Sequence, residues 1–469
     1  MMTRAAFLAA MAAAAGSATV PTSSAAVPEV ARAAFDPMSP ARLHRRVREV
    51  CDFGPRWTGY PAEHRASRWV AQRLRDAGLR VDVDRYGFRR WDVRKWRVEL
   101  LLPGGGVVPI STFPLWSTHA GAGTADLVDV GFGSDPELAM HDLEGKAVVV
   151  TGKALLNVFS TYRDVYFHAA DAGAVSMFVS SDAPDNLIRP TSWSKNQLDK
   201  NPIPGFNLGA QDLARVRAAA QAGGRIRWRL DSSHVDGTTY DVTAGLPGSG
   251  AEPGALMVCA HVDSWFTGAL DNATGVAGLI GLAEHFARVP VAERPKDMYF
   301  VSVTGHDTGF PYGGLQHWVE RHEDLVGSLD GFVNLDHLAA HHEEHVSTGG
   351  VIDMLGLEID TPFDQERALF TSAHPELLAI WAPVLLQYRL APAVPAPTAP
   401  ALTPNPDLEG IIAERGVPTS SLTMATPHYH TVGDTPDRIP PEQLSRSVMA
   451  HRDVLTALQG TAGAVLRRR

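Results

Sequence analysis

Three strongly apolar runs in the second half of the chain constrain its fold more than any other feature. They cover residues 255–260, 298–303 and 331–335, and a weaker run covers residues 419–424. Apolar and polar residues do not alternate within them, which is the pattern of strands buried on both faces of a mostly parallel sheet. The sequence therefore predicts an α/β domain built around such a sheet.

A histidine or an aspartate follows the end of each run. Because open α/β sheets bind ligands beyond the carboxyl ends of their strands, these polar groups are expected to meet in one crevice. Imidazole nitrogen and carboxylate oxygen bind zinc readily, and a catalytic zinc site leaves one position open for water or substrate. Together with an aspartate in the turn at residues 271–275, they form the predicted ligand set for two zinc ions: His261, Asp271, Asp307, Asp336 and His430.

Each segment also has an ordinary structural explanation. His261 and Asp263 could form a hydrogen-bonded pair, and Asp271 could belong to a turn that starts a helix, because Asp, Asn and Thr favour such positions. Asp336 could cap a strand-to-helix turn, and His430 could lie in a solvated loop. The occurrence of all these residues in this order, each near a predicted strand end, favours the metal site.

Residues 259–276, 334–336 and 429–437 carry a resemblance to a known family, and residues 54–59, followed by a predicted helix ending at Gly78, extend it. These segments are similar to the zinc-dependent M28 peptidases, which include aminopeptidases and glutamate-carboxypeptidase-like enzymes. The resemblance covers most of the chain after about residue 40. It implies a three-layer α/β zinc-peptidase domain with a mixed, mostly parallel sheet.

The resemblance also implies a role for each predicted ligand. It places one zinc ion on His261, Asp271 and Asp336. It places the second ion on Asp271, Asp307 and His430, so that Asp271 bridges the two. The peptide bond after the bridging aspartate is often cis in this family, and we expect a cis bond after Asp271.

Asp263 and His306 are the predicted catalytic residues. Asp263 lies two residues beyond His261, where it could accept a hydrogen bond from the imidazole and fix its tautomer. The family has two adjacent glutamates after the next strand, a general base and a zinc ligand, whereas this chain has His306 and Asp307. Aspartate remains a competent zinc ligand, so the second replacement is mild.

The replacement of the glutamate base by His306 bears directly on activity. Positioned proton transfer is typically worth about 10²–10⁴-fold in rate. Histidine can accept a proton near neutral pH, although two nearby zinc ions would disfavour its charged form. His306 is therefore the predicted base, and three alternatives stay open: an extra metal ligand, a substrate contact or a sign of lost catalysis.

The segment from residue 112 to residue 232 is similar to a protease-associated domain. Its short apolar strands are separated by Gly and Asp turns, and one helix is predicted to end at Gly173. We expect this β-rich α+β domain to be inserted into the peptidase domain, which residues 35–111 and 233–469 would form. The resemblance implies that this domain is a lid or an insertion on the substrate side.

Composition and the N-terminus indicate an exported protein. The chain has 469 residues and a formal net charge of -10, and no long basic stripe offsets this charge, which argues against nucleic-acid binding. Arg4 precedes an apolar run at residues 5–15, so residues 1–26 are predicted to be a signal peptide, with an Ala-rich disordered leader as the alternative. Neither a lipid anchor nor a later transmembrane span is predicted.

The combined prediction is a secreted zinc exopeptidase that hydrolyses peptide or similar amide bonds. Two alternatives stay open: a degenerate binding protein on the same fold, and a zinc enzyme of aminoacyl cyclisation. Ser264, Trp265 and Tyr312 are candidates for the substrate side. The proline-rich residues 391–406 are expected to form an extended loop. The sequence predicts neither the oligomeric state nor a bridge between its two cysteines.

Overall fold

The computed structural model describes most of the chain after the predicted signal peptide. The described residues are 36–151, 165–180, 183–190, 202–309, 314–341, 367–372, 374–391, 393–397, 408–424 and 426–468. The predicted signal peptide and Tyr312 lie outside them.

Four of the longer helices begin with a proline, whose fixed backbone angle suits the first helical turn and whose missing N–H is not needed there. No described helix is long and apolar enough to cross a bilayer. Residues 165–171 are also helical. The helices are α1 (Pro40–Cys51), α2 (Pro61–Asp76), α3 (Asp135–Ala139), α4 (Ala210–Gln221), α5 (Thr274–Phe286), α6 (Gly314–Arg321), α7 (Glu323–Ser328), α8 (Pro375–Gln387), α9 (Leu408–Ala413), α10 (Pro441–Gln459) and α11 (Gly463–Leu466).

The described strands are β1 (Arg80–Leu101), β2 (Val107–Ile110), β3 (Thr112–Pro114), β4 (Gly121–Asp129), β5 (Ala147–Thr151), β6 (Ser176–Ser180), β7 (Gly205–Leu208), β8 (Arg225–Leu246), β9 (Ala255–His261), β10 (Asp297–Val303), β11 (Leu329–Asn334), β12 (Arg367–Thr371), β13 (Ala393–Pro397) and β14 (Thr419–Thr423). They join in one continuous pairing order, β13-β12-β14-β11-β9-β10-β8-β4-β5-β6-β7-β3, with β1 paired to β2 and β8.

The four predicted strands form the centre of the first part of this sheet. β9 lies between β10 and β11 and is parallel to both, and β14 is parallel to β11. β8 and β12 add antiparallel pairs. Every residue of β9 is buried, because one face packs on α1, α2, α5 and α10 and the other on α6 and α9. The predicted three-layer α/β fold with a mixed, mostly parallel sheet is confirmed.

A long antiparallel ribbon joins this region to a second core. β1 and β8 pair along almost their whole length, with one irregularity between Val93 and Lys95. Val98 and Trp228 pack with residues of β3, β4, β5 and β7. β8 passes residue 232 without interruption. The domain boundaries at residues 111 and 232, and the protease-associated character of the segment between them, stay predictions.

The expected loop in the proline-rich segment is wrong for residues 393–397. They form strand β13, which pairs in parallel with β12 at the end of the sheet. Proline cannot donate to a sheet ladder, but an edge strand tolerates it because one side needs no partner. The rest of the segment, apart from residue 391, lies outside the described residues.

The two cysteines lie in separate elements of the peptidase-like region. Cys51 ends α1 and Cys259 lies in β9, and no disulfide joins them. Burial raises the pKa of the Cys51 thiol to about 12. Cys51 is therefore a packing residue and not a reactive thiolate.

Candidate metal centre

The five predicted ligands lie close together, near the ends of the central strands and in the turn that precedes α5. His261 is the last residue of β9, and Asp336 follows β11 by two residues. Asp271 lies in a short π-helical turn, Ala269–Ala273, that leads into α5. All five ligand side chains are buried, and the most exposed of them is His430 at 8%.

Asp271 lies between two histidines. Its Oδ1 is 3.2 Å from His261 Nε2, and its Oδ2 is 2.8 Å from His430 Nε2. His261 Nε2 is also 3.4 Å from Asp336 Oδ1, and His430 Nε2 is 3.4 Å from Asp307 Oδ1. The two carboxylate oxygens of Asp271 therefore face two separate groups, the arrangement expected of a bridging ligand.

A sixth group, His337, lies in the same cluster and was missed by the sequence reasoning. Its Nε2 is 3.3 Å from Asp271 Oδ1 and 3.5 Å from Asp336 Oδ1. Its backbone has a φ of 49°, in the left-handed region. The available sequence signal was its position directly after Asp336, which the family resemblance had no reason to single out.

The donor atoms of the cluster fit a cation. His261 Nε2, Asp336 Oδ1 and His430 Nε2 are buried and form no hydrogen bond within the described residues, despite the short contacts above. Buried polar atoms without partners are uncommon in native structures, and an ion is one of the groups that satisfies them. Three overlapping sets of side chains place ligand atoms within 4.8 Å of one another: His261 with His306 and Asp336, His261 with Asp271 and Asp307, and Asp271 with Asp336 and His337.

The shifted pKa values of the cluster also indicate a site for a cation. Burial alone would lower the pKa of His261, but the charge of Asp336 and contacts with Asp263 and Asp271 hold it well above the usual value. Burial and repulsion from Asp271 raise the pKa of Asp307 to about 7. Both shifts reflect an excess of buried negative charge, which a divalent cation would neutralise.

Asp263 holds the loop that carries His306 and Asp307. Its Oδ2 accepts hydrogen bonds from the backbone N–H groups of Asp307 at 2.9 Å and Thr308 at 3.0 Å, and its Oδ1 accepts from that of His306 at 3.2 Å. Burial opposes its charge, but the contact and charge of His261, the charge of His306 and the backbone donors lower its pKa to about 2.

The contact predicted between Asp263 and His261 takes a different form. His261 Nδ1 is 3.2 Å from the backbone carbonyl oxygen of Asp263 and 3.5 Å from the carboxylate Oδ1. The carbonyl is the closer acceptor for the imidazole N–H, because the carboxylate is turned toward the backbone of residues 306–308. Asp263 therefore connects His261 with the next loop through two different groups.

His306 lies at the rim of the cluster. Its ring centroid is 4.5 Å from that of His261, and its side chain is partly exposed. One of the three candidate ligand sets includes it, together with His261 and Asp336. The structure thus brings His306 beside the candidate ligands, at a place where a base, a ligand or a substrate contact would be useful.

The loop that carries Asp271 is held by hydrogen bonds with Asp434 and with Leu335. Asp434 accepts hydrogen bonds from the backbone N–H groups of Leu270 at 2.7 Å and Asp271 at 3.1 Å. Asn272 Nδ2 donates to the Leu335 carbonyl oxygen at 2.9 Å. The bond between Asp271 and Asn272 is cis, as expected.

Arg56 holds the segment between His261 and Asp271 through hydrogen bonds to its backbone. The fully buried guanidinium donates from Nε to the Val262 carbonyl oxygen at 2.7 Å, and from Nη1 and Nη2 to those of Thr267 and Gly268 at 2.8 and 3.0 Å. Its planar donors suit several carbonyl groups at once. Sequence reasoning included Arg56 in the family-like N-terminal segment but did not assign it this role.

The second core also contacts the loops of the site. Arg189 is buried, and its Nε and Nη2 donate to the backbone carbonyl oxygens of Tyr429 at 3.0 Å and Pro427 at 2.8 Å. Trp116 Nε1 donates to the Thr308 carbonyl oxygen at 2.9 Å. Residues far away in the sequence therefore position the loops of His430 and Asp307.

The predicted substrate-side residues are placed differently from one another. Ser264 is buried, and its hydroxyl donates to the Phe266 carbonyl oxygen at 3.0 Å, so it shapes its own loop. The Trp265 ring centroid is 5.8 Å from that of His430, and its indole N–H forms no hydrogen bond within the described residues. Trp265 also packs against Phe113 and Trp116.

The comparisons with known proteins agree with this arrangement. Residues 241–455 match the model of Peptidase family M28, a range that includes all five predicted ligands. A curated relative, carboxypeptidase Q from Xenopus laevis, is 25% identical over 217 residues, which are 44% of this chain and 45% of that protein. The match thus spans less than half of that relative's length.

Solved structures share the fold over most of the chain. A peptidase M28 precursor from Shewanella amazonensis SB2B superposes with a TM-score of 0.68 at 18% identity, covering 90% of this chain and 96% of that one. A zinc aminopeptidase from Bacillus subtilis superposes with a TM-score of 0.66 at 17% identity, covering 90% and 95%. At these identities the similarity establishes the fold.

Proposed function

Residues 241–455 belong to Peptidase family M28, and from this membership we propose that the protein is a zinc-dependent exopeptidase that acts on peptide or similar amide bonds. The observation that carries the proposal is the convergence of five buried ligand side chains at the carboxyl ends of β9, β10, β11 and β14, around the carboxylate of Asp271.

Two metal positions are proposed on either side of Asp271. The first position consists of His261, Asp271 and Asp336, and the second of Asp271, Asp307 and His430. When bound, zinc polarises a substrate carbonyl group and makes water a better nucleophile at neutral pH. The unpartnered buried donor atoms on both sides of Asp271 support this assignment.

His306 is proposed to accept the proton of the attacking water and to pass it to the leaving amine. Support comes from its partly exposed position beside His261 and from its place in the chain directly before Asp307. Asp263 acts as its positioning residue, because it binds the backbone N–H of His306 and those of the next two residues. Trp265 is proposed to form part of the substrate-binding wall.

Two further proposals concern the rest of the chain. Residues 112–232 are proposed to be an inserted protease-associated domain, which is supported by the contacts of Arg189 and Trp116 with the loops of the metal centre. The protein is proposed to be exported, on the basis of the apolar run after Arg4. N-terminal sequencing of the protein recovered from the culture medium tests the second proposal, with a new N-terminus near residue 26 expected.

One observation favours a second candidate function. The replacement of the family's glutamate base by His306 is the change expected in a degenerate member that binds a peptide or a metal without turnover. A zinc enzyme of aminoacyl cyclisation is the other alternative. The binding protein and the cyclase would have the same metal centre as a peptidase. The reaction product, if any, therefore distinguishes the three functions.

The test is a panel of peptides assayed with purified protein before and after addition of zinc. The panel contains matched peptides with both termini free, with the N-terminus blocked, with the C-terminus blocked and with both termini blocked. An exopeptidase should release single residues from peptides with free termini, and one type of block should abolish this release. Cleavage within doubly blocked peptides would exclude an exopeptidase, and a cyclised product would support the cyclase.

Variants of His306 decide its role in the same assay. His306→Ala should lower turnover by about 10²–10⁴-fold, the usual effect of lost proton transfer, while zinc content stays unchanged. His306→Glu should keep more activity than His306→Ala. A wild-type protein that binds zinc, releases no residue and becomes active as His306→Glu would identify the degenerate member. Equal activity of wild type and His306→Ala would remove His306 from the mechanism.

A further inference from the structure

Two imidazoles approach the same pair of carboxylate oxygens. His261 Nε2 lies 3.2 Å from Asp271 Oδ1 and 3.4 Å from Asp336 Oδ1. His337 Nε2 lies 3.3 Å from the same Asp271 oxygen and 3.5 Å from the same Asp336 oxygen. These four atoms therefore form a closed ring of alternating nitrogen and oxygen with nearly equal edges.

The four edge lengths resemble the spacing of neighbouring ligand atoms around one zinc ion. Zinc binds imidazole nitrogen and carboxylate oxygen at about 2.0–2.2 Å, so neighbouring ligand atoms of a tetrahedral site are about 3.3–3.6 Å apart. The four measured edges, 3.2, 3.4, 3.3 and 3.5 Å, agree with this spacing. Three ligands alone, without His337, would leave one corner of the tetrahedron vacant.

We propose that His337 is a fourth protein ligand of the first metal position, which two imidazoles and two carboxylates thereby close. The second position, with three protein ligands, is then the one that keeps a coordination place open. This inference rests on the proposed metal centre but adds a residue that the family resemblance does not supply. It assigns unequal roles to the two positions.

The backbone at His337 supports a specific role for this side chain. A φ of 49° lies in the left-handed region, which residues other than glycine seldom occupy and which is common where function or packing requires it. The conformation is held on both sides, because the Met424 N–H donates to the His337 carbonyl oxygen at 3.2 Å and the Leu338 N–H donates to Thr274 Oγ1 at 3.1 Å.

The ring of His337 is also packed against the second position. It makes an edge contact with Tyr429, at 4.9 Å between centroids, and Tyr429 stacks on His430 at 3.7 Å. Tyr429 thus connects the ring of His337 with that of His430, a ligand of the second position. The competing explanation is that His337 forms an ordinary hydrogen bond with Asp271 and contributes only to packing.

A ligand role also predicts a metal preference. A position with two imidazoles should favour zinc or cobalt over magnesium and manganese, which prefer oxygen ligands. The second position has one imidazole and two carboxylates, so it should discriminate less between these metal ions. Substitution of His337 should therefore make the metal preferences of the two positions more similar.

The test compares His337→Gly with wild type, because glycine accepts the left-handed backbone and leaves space for added imidazole. His341→Ala is the matched control, since His341 is an exposed histidine four residues away. Metal-free proteins are titrated with Zn²⁺ by calorimetry and with Co²⁺ by visible absorption. Folding of each variant is checked by circular dichroism.

Wild type and His341→Ala should bind two equivalents, the first giving the intense visible absorption of tetrahedral Co²⁺. In His337→Gly the affinity for the tighter equivalent should fall by about 100-fold or more, since loss of even an outer hydrogen-bonding partner costs about 10–100-fold. The Co²⁺ absorption should weaken, and added imidazole should restore both.

Two results would overturn the inference. If His337→Gly binds both equivalents with wild-type affinity and spectrum, His337 is only a packing residue, and the proposed peptidase function stands. If wild type binds no metal under these conditions, the metal centre itself and the proposed function fail together. A folded His337→Gly that loses affinity but is not rescued by imidazole would also count against ligation.

Discussion

The two proposed metal positions differ in how the protein holds them. The first position is built at the ends of the neighbouring central strands β9 and β11, where the Leu335 N–H donates to the Cys259 carbonyl oxygen at 2.8 Å. The second position relies on two loops, at residues 306–308 and 426–434. Strand pairing therefore fixes His261 and Asp336 of the first position, whereas side chains from other regions must fix the loops of Asp307 and His430.

These supporting side chains come from distant parts of the chain. Asp263 binds the loop of Asp307, and Arg189 from the second core binds the loop of His430. The comparison teaches that ligands at the ends of paired strands need little help, while ligands on loops depend on buried polar residues that resemble no metal motif. Substitution of these supporting residues should therefore lower zinc affinity at the second position more than at the first.

The largest effect is expected from Asp271→Ala, which removes the group shared by both positions. Neither zinc ion should bind, turnover should be lost, and the zinc-dependent rise in melting temperature should disappear, because metal binding and folding are coupled. Metal analysis and thermal melts with and without zinc check this. Retention of one tightly bound zinc ion would show that Asp271 does not bridge the positions.

Asp263→Asn should weaken the second position more than the first. The substitution removes the charge that accepts three backbone N–H groups of residues 306–308, while the backbone carbonyl of residue 263 still accepts from His261. Zinc affinity at the weaker position should fall by about 10–100-fold, as is usual for residues that orient a ligand. Equal losses at both positions would contradict the proposed division.

Arg189→Met should produce a smaller change of the same kind. Loss of the two hydrogen bonds to the loop of His430 should lower zinc affinity at the second position by about 10-fold and leave the first unchanged. Arg189→Lys should recover part of the loss. The control is Arg217→Met, which removes a half-exposed ion pair with Asp129 in the same core. Similar effects of Arg189→Met and Arg217→Met would exclude a positioning role.

The smallest effect on the metal positions is expected from substitution of Glu63, a buried carboxylate in the first turn of α2. Glu63 accepts hydrogen bonds from the Gly59 N–H at 3.0 Å and from the hydroxyl groups of Ser67 at 2.6 Å and Thr239 at 2.9 Å. Burial nevertheless raises its pKa from 4.5 to about 7. The fold therefore favours its neutral form.

A raised pKa has a defined consequence for stability. The neutral form of Glu63 contributes fully below about pH 4.5, and this contribution is lost as the pH rises through about 7. Glu63→Gln should remove this dependence and be more stable than wild type, by on the order of 1–3 kcal/mol, above pH 7. Denaturant unfolding from pH 4 to pH 8 measures this, and a stability difference that does not vary with pH would contradict it. Zinc affinities should not change.

The sequence alone predicted the central strands of the sheet and the candidate metal ligands. Three strongly apolar runs and one weaker run identified the four central strands, and the residues after them, together with the turn at Asp271, supplied the five side chains that meet at the candidate site. This worked because a strand buried on both faces has a distinct composition and because the carboxyl ends of parallel strands share one edge of the sheet.

The supporting residues could not be predicted in the same way. Arg189 lies more than two hundred residues from the loop it binds, and His337 reaches the centre through a left-handed backbone that has no simple sequence signature. The strand at residues 393–397 was missed because proline is unfavourable in sheets except at an edge, and the edge position depends on the whole topology.

Stepwise reloading of the metal-free protein with zinc tests the central claim most directly. Peptidase activity and bound zinc are measured in the same samples from zero to three equivalents. A closed first position and an open second position predict little activity up to one equivalent and a steep rise between one and two. Full activity at one equivalent, or activity that does not depend on zinc, would contradict the account.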